Sequence, residues 1–274
     1  MFQHIRRTIQ QELLARRSGT DAAERKAFAR TLHRLDAAMR GDAKQEVVTV
    51  PIMDRPMQGF SAGTLYYLFR EVFLEHGYRF SCERPDPVVI DLGANIGFAT
   101  LYFKLHHPRA IIHAYEANPH VARLLRANVA ANHLADVTVH EEAVSDRDGT
   151  LTFHISDDPG TLMGSVDPAR GGGSALTVKA VRLSTLLGKL DRIDAVKMDI
   201  EGGEWAVLDD LLNSGQFARP KRYLIEYHHQ IGSEAPRLSA FLKPFEEAGY
   251  RYQVAARTRG ITDFQDLLIH AQRD

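Results

Sequence analysis

The chain has 274 residues, 44% of them apolar, with 34 Lys/Arg against 35 Asp/Glu and a formal net charge of -1. That length suits one α/β domain with a modest extension, and the balanced charge excludes a global field that would draw in nucleic acid or a membrane surface. A single cysteine, Cys82, excludes an internal disulfide and a cysteine-built zinc site. No apolar run approaches the ~18 residues of a membrane span. The opening Met1-Phe2-Gln3-His4-Ile5-Arg6-Arg7 has no hydrophobic region after its arginines. A soluble, cytoplasmic protein is expected.

Residues 1–45 carry ten Lys/Arg against five Asp/Glu. Phe2, Ile5, Ile9 and Leu13 form one helical stripe, and Phe28, Leu32, Leu35 and Met39 another. Ser18-Gly19-Thr20 separates them, and Asp21 with Glu24 fits an N-cap and its third helical position. Two amphipathic helices are expected, packed on the following domain or building a homodimer contact. A basic surface for an anionic substrate or a membrane is the alternative. Residues 46–87 read as a connecting segment with a short strand (Glu46–Val50), a helix (Ser61–His76) and a stretch rich in Pro and Asp.

Over residues 88–274 strands and helices alternate, as in a parallel sheet with crossovers. Val88–Ile90 opens a buried strand that meets Asp91, and a helix follows through Leu105. Ala110–Tyr115, Val137–His140, Ile193–Met198 and Arg222–Glu226 are further strands, with helices at Pro119–Asn132, Glu204–Leu212 and Leu238–Ala248. Asp146-Arg147-Asp148-Gly149 turns into a β-rich stretch, Thr150–Ile155. Asp157–Ala175 is rich in glycine and poor in apolar residues, which predicts a mobile loop, either a linker or a lid. Tyr250–Ala255 and Phe264–His270 would close the sheet edge as an antiparallel hairpin.

The first constellation is Asp91-Leu92-Gly93-Ala94-Asn95-Ile96-Gly97. Two glycines four apart after a buried strand bring backbone close to a nucleotide-like ligand. Asn95 stands where a dinucleotide fingerprint has its middle glycine, which points instead to S-adenosylmethionine (SAM). A second strand ends in Glu116, placed to accept hydrogen bonds from both ribose hydroxyls. The second constellation, Lys197-Met198-Asp199-Ile200-Glu201-Gly202-Gly203-Glu204, crowds acids at a sheet's carboxyl edge. Such acids repel one another, so they need a cation: the methionine ammonium, the sulfonium or a metal. Capping of the next helix is the structural alternative. In the third, Glu226 and His228 alternate onto one face, an arrangement suited to a general base with an oriented tautomer.

With these residues in view, the chain resembles the FkbM family of SAM-dependent methyltransferases. The likeness rests on D-L-G-A-N-I-G-F-A-T (Asp91–Thr100), Y-E-A-N-P (Tyr115–Pro119), E-A-V-S-D (Glu142–Asp146), K-M-D-I-E-G-G-E (Lys197–Glu204) and I-E-Y-H after the fifth strand, and it covers about residues 60–270. It implies a class I, Rossmann-like methyltransferase fold: a mostly parallel seven-stranded sheet with helices on both faces, here with an α-helical N-terminal extension. It also implies methylation of hydroxyls on sugars, lipids or secondary metabolites. Asp91, Gly93, Asn95 and Gly97 would line the methionine side of SAM with Thr100 nearby. Glu116 and Asn118 would serve the ribose, Glu142 and Ala143 would flank adenine, and Asp199 would lie near methionine and substrate.

Methyl transfer to a hydroxyl needs an in-line geometry and a proton acceptor. His228, oriented by Glu226, is the expected base, with Glu201 or His229 in reserve. A divalent cation on Asp199, Glu226 and His228 would be another way to acidify the acceptor. Two other classes remain in view: a nicotinamide-dependent oxidoreductase using Gly93, Gly97 and Glu116, and a SAM-binding module without catalysis.

Overall fold

The computed structural model describes residues 2–41, 47–156, 164–231, 237–257 and 265–274. Helices α1 (Phe2–Ser18) and α2 (Ala22–Arg40) form where the two stripes lie. Asp21 caps α2, its carboxylate accepting the Glu24 N–H at 2.8 Å. Phe28, Leu32 and Leu35 turn inward, whereas Ile9 and Leu13 of α1 face solvent. The side chains of Phe2 and Ile5 lie outside the described residues.

Strands β1 (Val48–Ile52) and β2 (Arg55–Gly59) form an antiparallel hairpin in which Pro51 opposes Pro56. Only one strand was legible there, since proline within a run argues against a strand reading. Helix α3 (Ala62–Phe69), capped by Ser61, continues as a π-helical turn over Arg70–Leu74. The alternating portion follows as β3 (Val88–Leu92), α4 (Phe98–His106), β4 (Ile111–Tyr115), α5 (Pro119–Ala131) and β5 (Val137–His140). Next come β6 (Ala143–Ser145), β7 (Gly149–Ile155), β8 (Gly164–Ser165), the short α6 (Pro168–Gly171), β9 (Ser174–Arg182) and α7 (Leu183–Leu187). The chain finishes through β10 (Ala195–Met198), α8 (Glu204–Asn213), β11 (Arg222–His229), α9 (Leu238–Glu247), β12 (Arg251–Arg257) and β13 (Gln265–Gln272).

The main sheet has seven strands in the order β12-β13-β11-β10-β3-β4-β5, with β13 the antiparallel member. The expected edge hairpin is therefore present, and β13 rather than β12 lies against β11. Both sheet faces are covered, as a mostly parallel sheet requires. Along β3, Val89 enters the core shared with Phe28, Phe69, Phe73 and Leu101, while Ile90 and Leu92 enter the core shared with Phe241 and Phe245. The N-terminal helices thus share one apolar core with the first sheet strand. This is the class I methyltransferase fold.

A second, four-stranded sheet, β6-β9-β7-β8, stands beside the first. It corrects the loop expected over Asp157–Ala175. Residues 157–163 lie outside the described part, but 164–175 contribute β8, α6 and the start of β9. Strand β9 escaped notice because only two of its nine residues are buried and its pairing partners are remote in sequence. No helix among the described residues is long and apolar enough to cross a membrane.

The strand order positions the site. From β3 the chain winds outward to β5, then returns to place β10 on the other side of β3. The carboxyl ends of β3 and β10 therefore diverge into a crevice, where open α/β sheets bind their ligands.

Candidate active site

The turn after β3 is moulded by its neighbours. Gly93 has φ 71°, and a Cβ there would sit 1.7 Å from the Asp199 carbonyl oxygen, so only glycine fits. Gly97 has φ 94°, and a Cβ there would meet the Leu125 side chain at 2.8 Å. The N–H groups of Gly93 and Ala94 both donate to the Tyr115 carbonyl, at 3.0 and 2.9 Å. Glu116 then grips two loops at once: one carboxylate oxygen accepts the Asn95 N–H at 2.9 Å, the other the Asn118 N–H at 2.8 Å. Burial pushes the Glu116 carboxyl up to about 7, against the pull of those two hydrogen bonds. Asn118 also caps α5, accepting from the His120 N–H at 3.0 Å.

A cleft of about 310 Å³ opens over this turn. Gly93, Asn95 and Glu116 form one wall, Glu142 and Ala143 the next, and Asp199 with Glu201 the far end. Asp91, Gly97, Thr100 and Asn118 are not on its surface; they support it from behind. Asp91 is fully buried and accepts from the Thr100 hydroxyl at 2.7 Å.

The far end is a network of charges on one sheet face. Strand alternation puts Asp91, Lys197 and Glu226 on the same side as His228. His228 Nδ1 lies 2.8 Å from the Glu204 carboxylate, and Nε2 lies 3.3 Å from Glu201 and 3.8 Å from Asp199. Burial alone would lower its pKa, but Glu204, Glu201 and Asp199 outweigh burial and lift it from 6.5 to about 10. His228 is therefore an imidazolium at neutral pH. Glu204, rather than the expected Glu226, holds Nδ1. Glu226 instead accepts from the Tyr78 hydroxyl at 3.2 Å, which also lies 3.3 Å from Asp199. Burial, reinforced by Asp199, raises the Glu226 carboxyl well above its usual range. Arg170 of α6 pairs with Glu201 at 2.6 Å, and the Ser165 hydroxyl donates to the Glu201 carbonyl at 2.5 Å.

These observations fit one family. The model described as the methyltransferase FkbM domain matches residues 91–252. The chain belongs to the FkbM methyltransferase family. It is accordingly a SAM-dependent methyltransferase. The chain is 30% identical to the 31-O-demethyl-FK506 methyltransferase FkbM of Streptomyces tacrolimicus over 208 residues, 63% of this chain and 78% of that protein. It is 32% identical to the methyltransferase sdnD of Sordaria araneosa over 173 residues, covering 52% and 67% respectively. It is 30% identical to the 2-O-methyltransferase NoeI of Sinorhizobium fredii over 142 residues, covering 46% and 58%. Among solved structures, the methyltransferase FkbM of Methylobacillus flagellatus KT aligns with a TM-score of 0.47 and 16% identity, covering 96% of this chain and 59% of that one.

Within this FkbM chain, His229 is the expected residue that stays away from the cluster. It shares the opposite face of β11 with Tyr227, the two rings 5.6 Å apart. Glu204 had been read as one of the crowded acids, but three residues of the network had not been singled out. Lys197 stood inside a quoted motif, and a lysine inside a buried strand was a readable signal. Tyr78 and Arg170 reach the cluster only through the fold. As for a cation, Asp199/Glu201/His228 and Glu226/His228/Asp266 each bring ligand atoms within 4.8 Å of one another. Lys197 and Arg170 already supply positive charge to Asp199 and Glu201, so the metal alternative gains no support.

Proposed function

We propose that this enzyme transfers a methyl group from SAM to a hydroxyl oxygen of a small-molecule acceptor, a sugar or a natural product. The observation that carries this reading is the Glu116 carboxylate, fixed by two backbone donors and facing the cleft beside a glycine turn. Glu116 accepts the two ribose hydroxyls; Glu142 and Ala143 flank the adenine. Gly93, Asn95 and Asp199 surround the methionine portion, with Asp91, Gly97, Thr100 and Asn118 as the frame. The hydroxyl-methylating activity named for two of the relatives, the 31-O and 2-O enzymes, supports oxygen as the nucleophile.

In the transfer the new C–O bond forms as the C–S bond breaks, and its electron pair stays on sulfur. Holding oxygen, carbon and sulfur collinear at about 3 Å is the main contribution of the protein. The acceptor proton goes to the Glu201 carboxylate rather than to the expected base His228, whose imidazolium has no lone pair to take it and instead backs that carboxylate. Glu201 lines the cleft and His228 backs it at 3.3 Å. Burial lifts the Glu201 carboxyl, which makes it a better proton acceptor. A second cavity of about 220 Å³ is lined by Tyr78, Glu226 and Asp266 among others; the Tyr78 hydroxyl lies 3.3 Å from Asp199 of the first cleft, and this cavity is where the proposal places the acceptor body.

Glu201→Gln and His228→Ala should each cut turnover about 10²-fold, while SAM affinity measured by calorimetry changes little. Turnover unchanged in both variants removes the pair from the reaction.

A further inference from the structure

Lys197 is the least expected side chain in the sheet: an ammonium 2% exposed in the middle of β10. Its register partner on β3 is Asp91. Its Nζ donates to the Gly93 carbonyl at 2.7 Å and to the Leu92 carbonyl at 3.2 Å. The same atom lies 3.4 Å from the Asp199 carboxylate and 3.5 Å from Asp91, and it sits 5.3 Å from the centroid of the Tyr78 ring.

An ammonium has three N–H donors. Two of them are taken by consecutive carbonyls of the glycine turn, which leaves one for two carboxylates. That division separates Lys197 from an ordinary buried ion pair, in which the donors would go to the acid. The carbonyls it holds belong to the segment where the turn leaves β3. The Asp199 carbonyl also presses against Gly93, so closely that no side chain fits. Lys197 therefore ties together the turn and Asp199, the two parts of the crevice that belong to different strands.

We propose that Lys197 is a positioning residue for the cofactor: it fixes the β3–α4 turn and the Asp199 carboxylate at one spacing, so that the methionine end of SAM meets a preformed wall. This rests on the assignment of the cleft to SAM. Lys197 does not line the cleft and touches neither reacting atom, so it acts through Gly93 and Asp199. Preorganisation of this kind appears in binding and is lost when the anchor is removed.

A structural role predicts something different. If Lys197 merely neutralised Asp91, replacing it would leave an uncompensated buried carboxylate, and removing that carboxylate would erase the loss. The test is a double-substitution cycle with Lys197→Met in the native and Asp91→Asn backgrounds, read as SAM affinity by calorimetry and as kcat and KM for SAM. The inference predicts that Lys197→Met weakens SAM at least tenfold in both backgrounds, the size expected for one lost charge-assisted hydrogen bond. It also predicts that KM for SAM rises more than kcat falls. Should Lys197→Met alone fail to fold, the Asp91→Asn background, which lacks one buried charge, carries the comparison. Unchanged SAM affinity in either background, or a loss confined to the native background, overturns the positioning role. SAM binding by the native protein is the control: its absence would refute the cleft assignment itself rather than this inference.

Discussion

In the proposed ribose role Glu116 would receive two hydroxyl hydrogens, which it does best when ionised, and it is held near that boundary. Burial raises it from 4.5 to about 7. Because the folded value is the higher one, the stabilising contribution of the bound proton is fully present below pH 4.5 and is lost as pH rises through about 7. SAM binding has the opposite sign, since the ligand needs the ionised form. Affinity for SAM should rise with pH through about 7 in the native protein and stay flat in Glu116→Gln, measured by calorimetry at fixed ionic strength. A native profile without that rise would contradict the ribose assignment. At this scale the sequence was informative about residues placed by the adjacent backbone. Gly93 and Glu116 each follow a strand that could be read locally, and Gly97 caps the helix after the first of them. The partner of His228 could not be read so. The i, i+2 spacing favoured Glu226, but helix α8 brings Glu204 to Nδ1 from a different layer.

The elements that were easiest to read are those stabilised by contacts within a few residues. Helix α2 has its inward stripe, and its first turn is closed by Asp21, while Glu24 reaches back to the Thr20 N–H at 2.6 Å. Removing the cap by Asp21→Ala should cost about 1 kcal/mol of stability, read from chemical denaturation, with turnover of the remaining folded enzyme unaltered. A denaturation midpoint equal to that of the native protein would contradict the cap. Strands β2, β8 and β9 were hidden for separate reasons. Strand β2 carries Pro56 within its run, β8 is only two residues long, and β9 takes its pairing partners β6 and β7 from across the glycine-rich stretch. The same small sheet turned an expected loop into part of the cleft wall. Gly164 and Val166 line the cleft, and Arg170 reaches Glu201.

For the molecule as a whole, function follows from strand order more than from any single motif. The turn after β3 and the acids after β10 are about a hundred residues apart in the chain, yet they share one crevice because β10 returns to the flank of β3. A net charge of -1 says nothing of the concentration of acids at that edge. Lys197, Arg170 and protonated His228 offset part of it, and on the proposed reading the sulfonium and ammonium of SAM meet the remainder. The most direct test of this account is a calorimetric titration of the purified protein with SAM, with its demethylated product S-adenosylhomocysteine, and with NAD. The account predicts one-to-one binding of the first two and none of the third. No heat with SAM or its product, or tight binding of NAD instead, would contradict it.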